Sequence, residues 1–318
     1  MKVSIKTPSR LHFAMLDLRG DLGRKFGSIG VAIDNPSIQL TAKPADSLKV
    51  EGSRPERVVK FAEKIMRENQ ISEGINIKID SDIPEHSGFG SGTQLALAVG
   101  MAISEVFNLD YSEELIAVKL GRSKRSGIGT YAFKHGGFII DGGHGINEQN
   151  KLPPLLFHSQ IPENWRFIIG LPEVNSAKSG DKELNAFKKV EPPPTTLVAN
   201  ATHIVLMQMM PAIIEKDIET FGSAMTKIDS IFGDYWENIQ GGRYSHPLIE
   251  EGVDFLVEAG AYGVGQSSWG PAFYGLVDKE KAPKVEVALQ KILNRVDRKG
   301  YAFSASPNNQ GAQIEVRK

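Results

Sequence analysis

The chain has no cysteine among its 318 residues, which excludes disulfides, thiolate metal sites and a cysteine nucleophile together. It also lacks a dominant charge. Lys+Arg 37 against Asp+Glu 38 leaves a net −1, and so no general pull toward nucleic acid or an anionic membrane. No continuous apolar run reaches the ~18 residues needed to cross a bilayer, and Met1-Lys2-Val3-Ser4-Ile5-Lys6 has no secretory h-region. No His/Asp/Glu cluster carries zinc spacing, and no basic-aromatic interleaving points to nucleic acid. The expectation is a cytoplasmic protein acting on small molecules. With 41% hydrophobic and 24% charged residues, it can bury a sizeable core, and its length fits two domains.

The periodicities predict an α+β fold. Short alternating runs over the first 50 residues read as strands, broken at Arg19-Gly20-Asp21 and Asn35-Pro36. Residues 54–69 carry apolar positions at helical spacing (Val58, Phe61, Ala62, Ile65, Met66). A strand at 75–79 and a helix at 91–107 follow. Residues 121–145 are rich in glycine and charge, with one strand-like run at 137–141. Prolines 153, 154 and 162 suggest a domain boundary near residue 160. Beyond a polar stretch at 173–189, residues 196–231 read as helical. The closing pattern is two strands, a helix at 281–294, and strands at 300–304 and 312–316.

The most informative stretch is Pro84-Glu85-His86-Ser87-Gly88-Phe89-Gly90-Ser91-Gly92-Thr93-Gln94, between a strand and an apolar helix. Alternating glycines let backbone N–H groups turn into one concavity. The helix N-terminus adds positive potential at the same place. Ser91 and Thr93 add hydroxyls that serve as helix caps or as ligands to phosphate or its metal. The physical reading is a phosphate cradle. It is neither the dinucleotide fingerprint nor a Walker A loop, since it has no Gly-x-Gly-x-x-Gly and no closing Gly-Lys-Ser/Thr.

This loop resembles the phosphate loop of the GHMP kinase superfamily. Ser126-Gly127-Ile128-Gly129 with Gly136-Gly137 is similar to the block that holds those kinases' catalytic aspartate, but Gly129 stands at the aspartate position. Glycine can neither accept a proton nor orient a hydroxyl for phosphoryl transfer. Ser9-Arg10-Leu11-His12-Phe13, Leu16-Asp17-Leu18, Arg125-Ser126-Gly127-Ile128-Gly129-Thr130, His135-Gly136-Gly137-Phe138 and Gln266-Ser267-Ser268-Trp269-Gly270-Pro271 resemble instead the β-ribofuranosylaminobenzene 5′-phosphate synthase branch. These blocks run from residue 9 to residue 271.

The resemblance implies a two-domain GHMP-kinase-like fold, with a ribosomal-S5-like domain at 1–160 and a ferredoxin-like domain at 161–318. It implies a pentosyltransferase joining phosphoribosyl pyrophosphate to 4-aminobenzoate or 4-hydroxybenzoate, with loss of CO₂ and pyrophosphate, in methanopterin biosynthesis. Mg²⁺ and a homodimer come with it. The implied catalytic residues are Arg10, His12 and Arg125. Gly88, Gly90, Ser91, Gly92, Thr93, Gln94, Arg122 and Ser126 would hold phosphate. His135, Gln266, Ser267, Ser268 and Trp269 would hold the aromatic acid, and Asp17 and Ser91 the metal.

Each residue also has a plain structural use. Asp17 can pair with Arg19 or Arg24, Lys124 and Arg125 can form a solvated basic loop, and Trp269 beside glycines can be packing. Two further readings stay open: an ATP-dependent kinase of the same superfamily, and a phosphosugar- or nucleotide-binding protein without catalysis.

Overall fold

The computed structural model describes residues 1–148, 150–174, 191–295 and 299–317, so most of the polar stretch expected at 173–189 lies outside the described residues. The N-terminal half builds two sheets. The first joins β1 (Lys2–Lys6), β4 (Gln39–Ala45), β5 (Lys49–Glu51), β6 (Gly74–Ser81) and β14 (Gln313–Arg317) in the order β14-β1-β4-β6-β5. Only the β5–β6 pair is parallel. Val3, Ile5, Leu40, Ile75, Ile77 and Ile79 alternate inward, as a half-buried strand pattern requires. Helices α1 (Pro55–Glu68) and α2 (Ser91–Phe107) cover that face. Each side chain so buried contributes roughly 1.5–3 kcal/mol.

The second sheet has the order β2-β3-β7-β9, formed by β2 (Ser9–Asp17), β3 (Arg24–Ile33), β7 (Phe138–Asp141) and β9 (Leu155–Ser159), with β8 (His144–Gly145) beside β3. Helices α3 (Glu113–Lys119) and α4 (Ile128–His135) lead into it. The third sheet, β11-β12-β10-β13, is antiparallel throughout: β10 (Trp165–Pro172), β11 (Gly263–Gln266), β12 (Phe273–Asp278) and β13 (Gly300–Ala305). It packs against α7 (Ile218–Gln240), α8 (Pro247–Glu258) and α9 (Ala282–Leu293). This strand order, with helices between the first and second and the third and fourth strands, is ferredoxin-like.

Four local expectations are corrected. The glycine-rich 121–145 region contains α4 as well as strand β7, because Tyr131, Ala132 and Phe133 find a buried face that composition hides. A strand, β9, occupies the proline-bounded stretch where a domain boundary is expected. The helix expected at 196–231 is broken: α5 (Thr195–Ile204) passes through a π-turn at Val205–Met209 into α6 (Met210–Glu215), and α7 starts anew. Pro211 has no N–H to continue the helical ladder, and Asp217 caps α7 by accepting from Thr220 N at 3.0 Å. By length and composition alone, Thr195–Glu215 is apolar enough to cross a membrane, yet Gln208 on it bonds back to α7 through Thr220 O at 3.2 Å. Finally, β14 leaves the C-terminal half and pairs with β1, so a cut at residue 160 does not separate the sheets.

Candidate active site

The glycine loop connects β6 to α2. Gly88 and Gly90 have φ of 90° and 77°, where a β-carbon is strained. At Gly88 that β-carbon would also collide with the Ser267 carbonyl. Gly90 is the N-cap of α2 and supplies no side-chain cap, which leaves the helix entrance to an anion. The loop between β11 and β12 lies directly on it, with Ser267 Oγ donating to Gly88 O at 2.7 Å and Ala272 N to Ser87 O at 3.2 Å. Strand β2 ties both together: Arg10 N donates to Phe89 O at 3.1 Å, His12 N to Ser267 Oγ at 3.0 Å, and Ser268 N to His12 O at 3.0 Å.

Around this junction opens a cleft of about 290 Å³, lined by the glycine loop, Ser91, Thr93, Ser268, Trp269 and four arginines: Arg10, Arg57, Arg122 and Arg125. The Arg10 guanidinium donates to Gly88 O. Arg122 Nε donates to Thr93 Oγ1 at 3.3 Å. Arg57 pairs with Glu85 at 2.6 Å, and its Nη2 would lie 2.7 Å from a β-carbon at Gly92. Burial, then Arg57 and Arg125, pull Arg122 down to about 10. Such crowding of like charge is relieved by a polyanion. Burial, then Arg10 and Arg125, hold His12 down at about 3, so its imidazole is neutral in the working range.

A second cavity of about 60 Å³ lies between β2, α7 and the β11–β12 loop, and shares Ser268 and Trp269 with the cleft. His12, Phe13, Asp229, Trp236, Tyr244 and Gln266 also line it. Trp236 and Trp269 meet edge to face at 4.8 Å. Gln266 Nε2 donates to Ser245 Oγ, Ser268 O and Gly270 O at 3.1–3.2 Å, which fixes the loop's course. Asp229 accepts from Gln266 N at 2.8 Å and from Tyr244 OH at 2.9 Å. Burial still pushes its carboxyl up to about 7.

The structure thus gathers Arg10, Arg122, Arg125, Gly88, Gly90, Ser91, Gly92, Thr93, Ser268 and Trp269 at one cleft, with His12 and Gln266 at the adjoining cavity. It does not gather the rest. Gln94 is fully buried and donates to Gly129 O at 2.8 Å, bracing α2 against α4 instead of facing phosphate. Ser267 is buried under the loop it holds. Ser126 Oγ accepts from Ile128 N at 3.3 Å at the start of α4. His135 ends α4, stacked on Tyr131 and 5.5 Å from His158, in the lining of neither cavity. Asp17 accepts from Arg19 N at 2.7 Å and Gly20 N at 3.2 Å, closing the turn after β2.

Sequence reasoning missed Arg57, Glu85 as a cleft residue, and Asp229. It also missed Asp141, whose carboxylate accepts from Gly127 N (2.8 Å), Gly143 N (2.9 Å) and Ser28 N (3.2 Å) and so anchors the turn into α4. Burial raises Asp141 to about 6 against those bonds. Asp229 had a legible signal: it shares the inward face of α7 with Met225, Ile228, Phe232 and Trp236, at helical spacing. Gly129 sits in α4, where a β-carbon would stand 3.1 Å from Thr93 Cγ2.

The oxygen donors in the cleft suit Mg²⁺ only as a companion of phosphate. Among the described residues no three His, Asp or Glu side chains converge, and the cleft's one carboxylate, Glu85, pairs with Arg57 and Arg54. A Mg²⁺ arriving on phosphate oxygens would find Ser91 and Glu85 as protein ligands, in keeping with its preference for few carboxylates plus substrate phosphates.

The family model described as GHMP kinases N terminal domain matches residues 56–137, and that described as GHMP kinases C terminal matches residues 209–295. The chain is 34% identical to the β-ribofuranosylphenol 5′-phosphate synthase of Methanothermobacter thermautotrophicus, over 92% of this chain and 94% of that protein. It is 34% identical to the enzyme of the same name from Archaeoglobus fulgidus, over 98% and 99%. Its fold matches the crystal structure of homoserine kinase from Cytophaga hutchinsonii with a TM-score of 0.69, at 16% identity and with 99% and 97% coverage.

Proposed function

Because the chain belongs to the β-ribofuranosylphenol 5′-phosphate synthase family, pentosyltransferase-type enzymes within the GHMP superfamily, we propose that it transfers the phosphoribosyl group of phosphoribosyl pyrophosphate onto a ring carbon of 4-hydroxybenzoate. CO₂ and pyrophosphate leave, at an early step of methanopterin biosynthesis. The observation that carries this reading is the cleft's composition: four arginines and a glycine-built helix entrance surround it, while Gly129 stands where a phosphotransferase needs a carboxylate. The relatives' phenol-type name favours the hydroxy over the amino acid, both of which the sequence had left open.

Pyrophosphate departs as positive charge builds on the ribose. Arg10, Arg122 and Arg125 meet the departing charge with charge-assisted hydrogen bonds, and Arg forks match phosphate oxygens in pairs. Backbone N–H groups at the start of α2 add fixed dipoles. When bound on the phosphate oxygens, Mg²⁺ would supply further neutralisation of the leaving group's charge. The aromatic acid enters the adjoining cavity between Phe13 and Trp269, with its C1 directed at the cleft. Neutral His12 lines the aromatic acid's cavity and adds no positive charge near the cationic ribose. Loss of CO₂ restores aromaticity, so no base has to remove a ring proton. The homodimer and the cytoplasmic setting are carried over from the family resemblance, and a native mass measurement tests the former.

The experiment incubates the pure protein with Mg²⁺, phosphoribosyl pyrophosphate and 4-hydroxybenzoate and measures pyrophosphate. Release that depends on the aromatic acid supports the reading. Phosphate transfer from ATP to an alcohol, without such release, replaces it with the kinase.

A further inference from the structure

The second cavity holds a buried carboxylate that pyrophosphate release does not need. Asp229 lies inside it, on the inward face of α7. A cavity of about 60 Å³ has room for roughly two waters at ~30 Å³ each, or for the oxygen-bearing end of a phenol ring. Its walls match that shape: Phe13, Phe232, Trp236 and Trp269 are flat and apolar, and at the polar end Asp229 accepts from Tyr244 OH and Gln266 N. A β-carbon at Gly265 would stand 2.7 Å from both Asp229 Oδ1 and Tyr274 OH, so both oxygens crowd one glycine. Tyr274 OH is buried and has no hydrogen-bond partner among the described residues. Burying a carboxylate and a bare hydroxyl side by side costs several kcal/mol, which a wholly apolar packing would avoid.

We propose that Asp229 is a catalytic acid–base that takes the proton of the acceptor's 4-hydroxyl as C1 attacks the ribose and returns it as CO₂ leaves. This rests on the synthase reading above. A ring π pair at C1 forms the bond to the anomeric carbon, and the anomeric C–O pair leaves with pyrophosphate. The O–H pair becomes the C=O of a cyclohexadienone, and its proton goes to Asp229. The C1–CO₂ bond then breaks and its pair returns to the ring. The dienone oxygen takes the proton back, and Asp229 ends as it began. With 4-aminobenzoate the nitrogen lone pair supports the same attack with no proton lost, so that acceptor does not need the carboxylate.

The groups facing Asp229 allow this role. Tyr244 OH donates to it, Arg243 lowers its affinity for a proton and Asp234 raises it. Tyr274 stands across Gly265, and His12 across the cavity is neutral. Burial is the largest influence and sets the carboxyl at about 7, where a general base works best at neutral pH.

The test is Asp229→Asn in the full chain, assayed with Mg²⁺ and phosphoribosyl pyrophosphate against each acid across pH 5.5–9. Since general-base contributions run about 10²–10⁴-fold, turnover of 4-hydroxybenzoate should fall at least about a hundredfold. The wild-type rise in kcat/KM through about pH 7 should vanish, and the hydroxy-over-amino preference should drop at least about tenfold. Equal losses with both acids, or a rise that persists in the variant, would overturn the proposal. Where only the hydroxy acid turns over, the pH rise decides. If Asp229→Asn fails to fold, Tyr244→Phe serves: loss of the donor to Oδ2 should move the rise to higher pH, and an unmoved rise refutes the role. Wild-type protein that releases neither CO₂ nor pyrophosphate with either acid overturns the synthase reading itself, a result distinct from an active wild type with an indifferent variant.

Discussion

Replacing Arg122 with alanine separates ligand binding from folding at the arginine cluster. In the ligand-free protein Arg122 lies against Arg57 and Arg125, and burial with these neighbours already pulls it down to about 10. Among the described residues its side chain donates to Thr93 Oγ1 at 3.3 Å, a modest contact. Deleting it removes like-charge repulsion and should leave the melting temperature unchanged or slightly raised. On the proposed reading, the same side chain would make a charge-assisted bond to pyrophosphate worth ~1.5–3 kcal/mol. Affinity for pyrophosphate should therefore fall roughly 10- to 150-fold. Titration calorimetry with Mg²⁺ and pyrophosphate reads the affinity, and a thermal melt without ligand reads the fold. The salt dependence of binding should also flatten, since one cation fewer is screened. An unchanged dissociation constant, or a steep fall in melting temperature without ligand, would refute the reasoning.

Gly88→Ala places a β-carbon at φ 90° against the Ser267 carbonyl, and should cost ~1–3 kcal/mol and most of the activity. Gly23→Ala, at φ 84° with nothing within 4 Å, shares the strain without the collision; equal losses in a urea titration would show that the loop contact does not matter. His12 is held at about 3 in the folded protein against 6.5 in an unfolded chain, so the unfolded state binds the proton first as pH falls. Stability should drop below about pH 6.5 with a slope approaching ~1.4 kcal/mol per pH unit, and His12→Asn should remove that component; an identical pH profile would contradict it. Asp141→Ala orphans three buried N–H groups and should cost on the order of 3 kcal/mol or more; denaturant unfolding with a loss below 1 kcal/mol would show that the turn into α4 holds without it.

The glycine loop was legible because its chemistry fixes its local sequence. A backbone that must reach φ 90° at Gly88 and 77° at Gly90 writes glycine into the chain wherever the fold places it. Arg57 was not legible, because on an amphipathic helix an arginine reads as a solvated face; only the packing of α1 beside α2 brings it over Gly92. Gln94 was assigned to phosphate by adjacency, but helical rotation turns it inward to Gly129 O. His135 was assigned by its block, yet an eight-residue helix carries it away from the loop to His158. The return of β14 to β1 was hidden because the edge it covers lies at the other end of the chain. Tertiary register decides such pairings, and strand periodicity carries no address.

In the proposed reaction the cleft releases pyrophosphate from an activated ribose, and ring attack is coupled to decarboxylation. Its most direct test supplies carboxyl-labelled 4-hydroxybenzoate with phosphoribosyl pyrophosphate and Mg²⁺, and measures labelled CO₂ and pyrophosphate in one reaction. Both products should appear together in equal amounts, and each should require both substrates. Pyrophosphate without CO₂, or neither product while ATP phosphorylates an added alcohol, would contradict it.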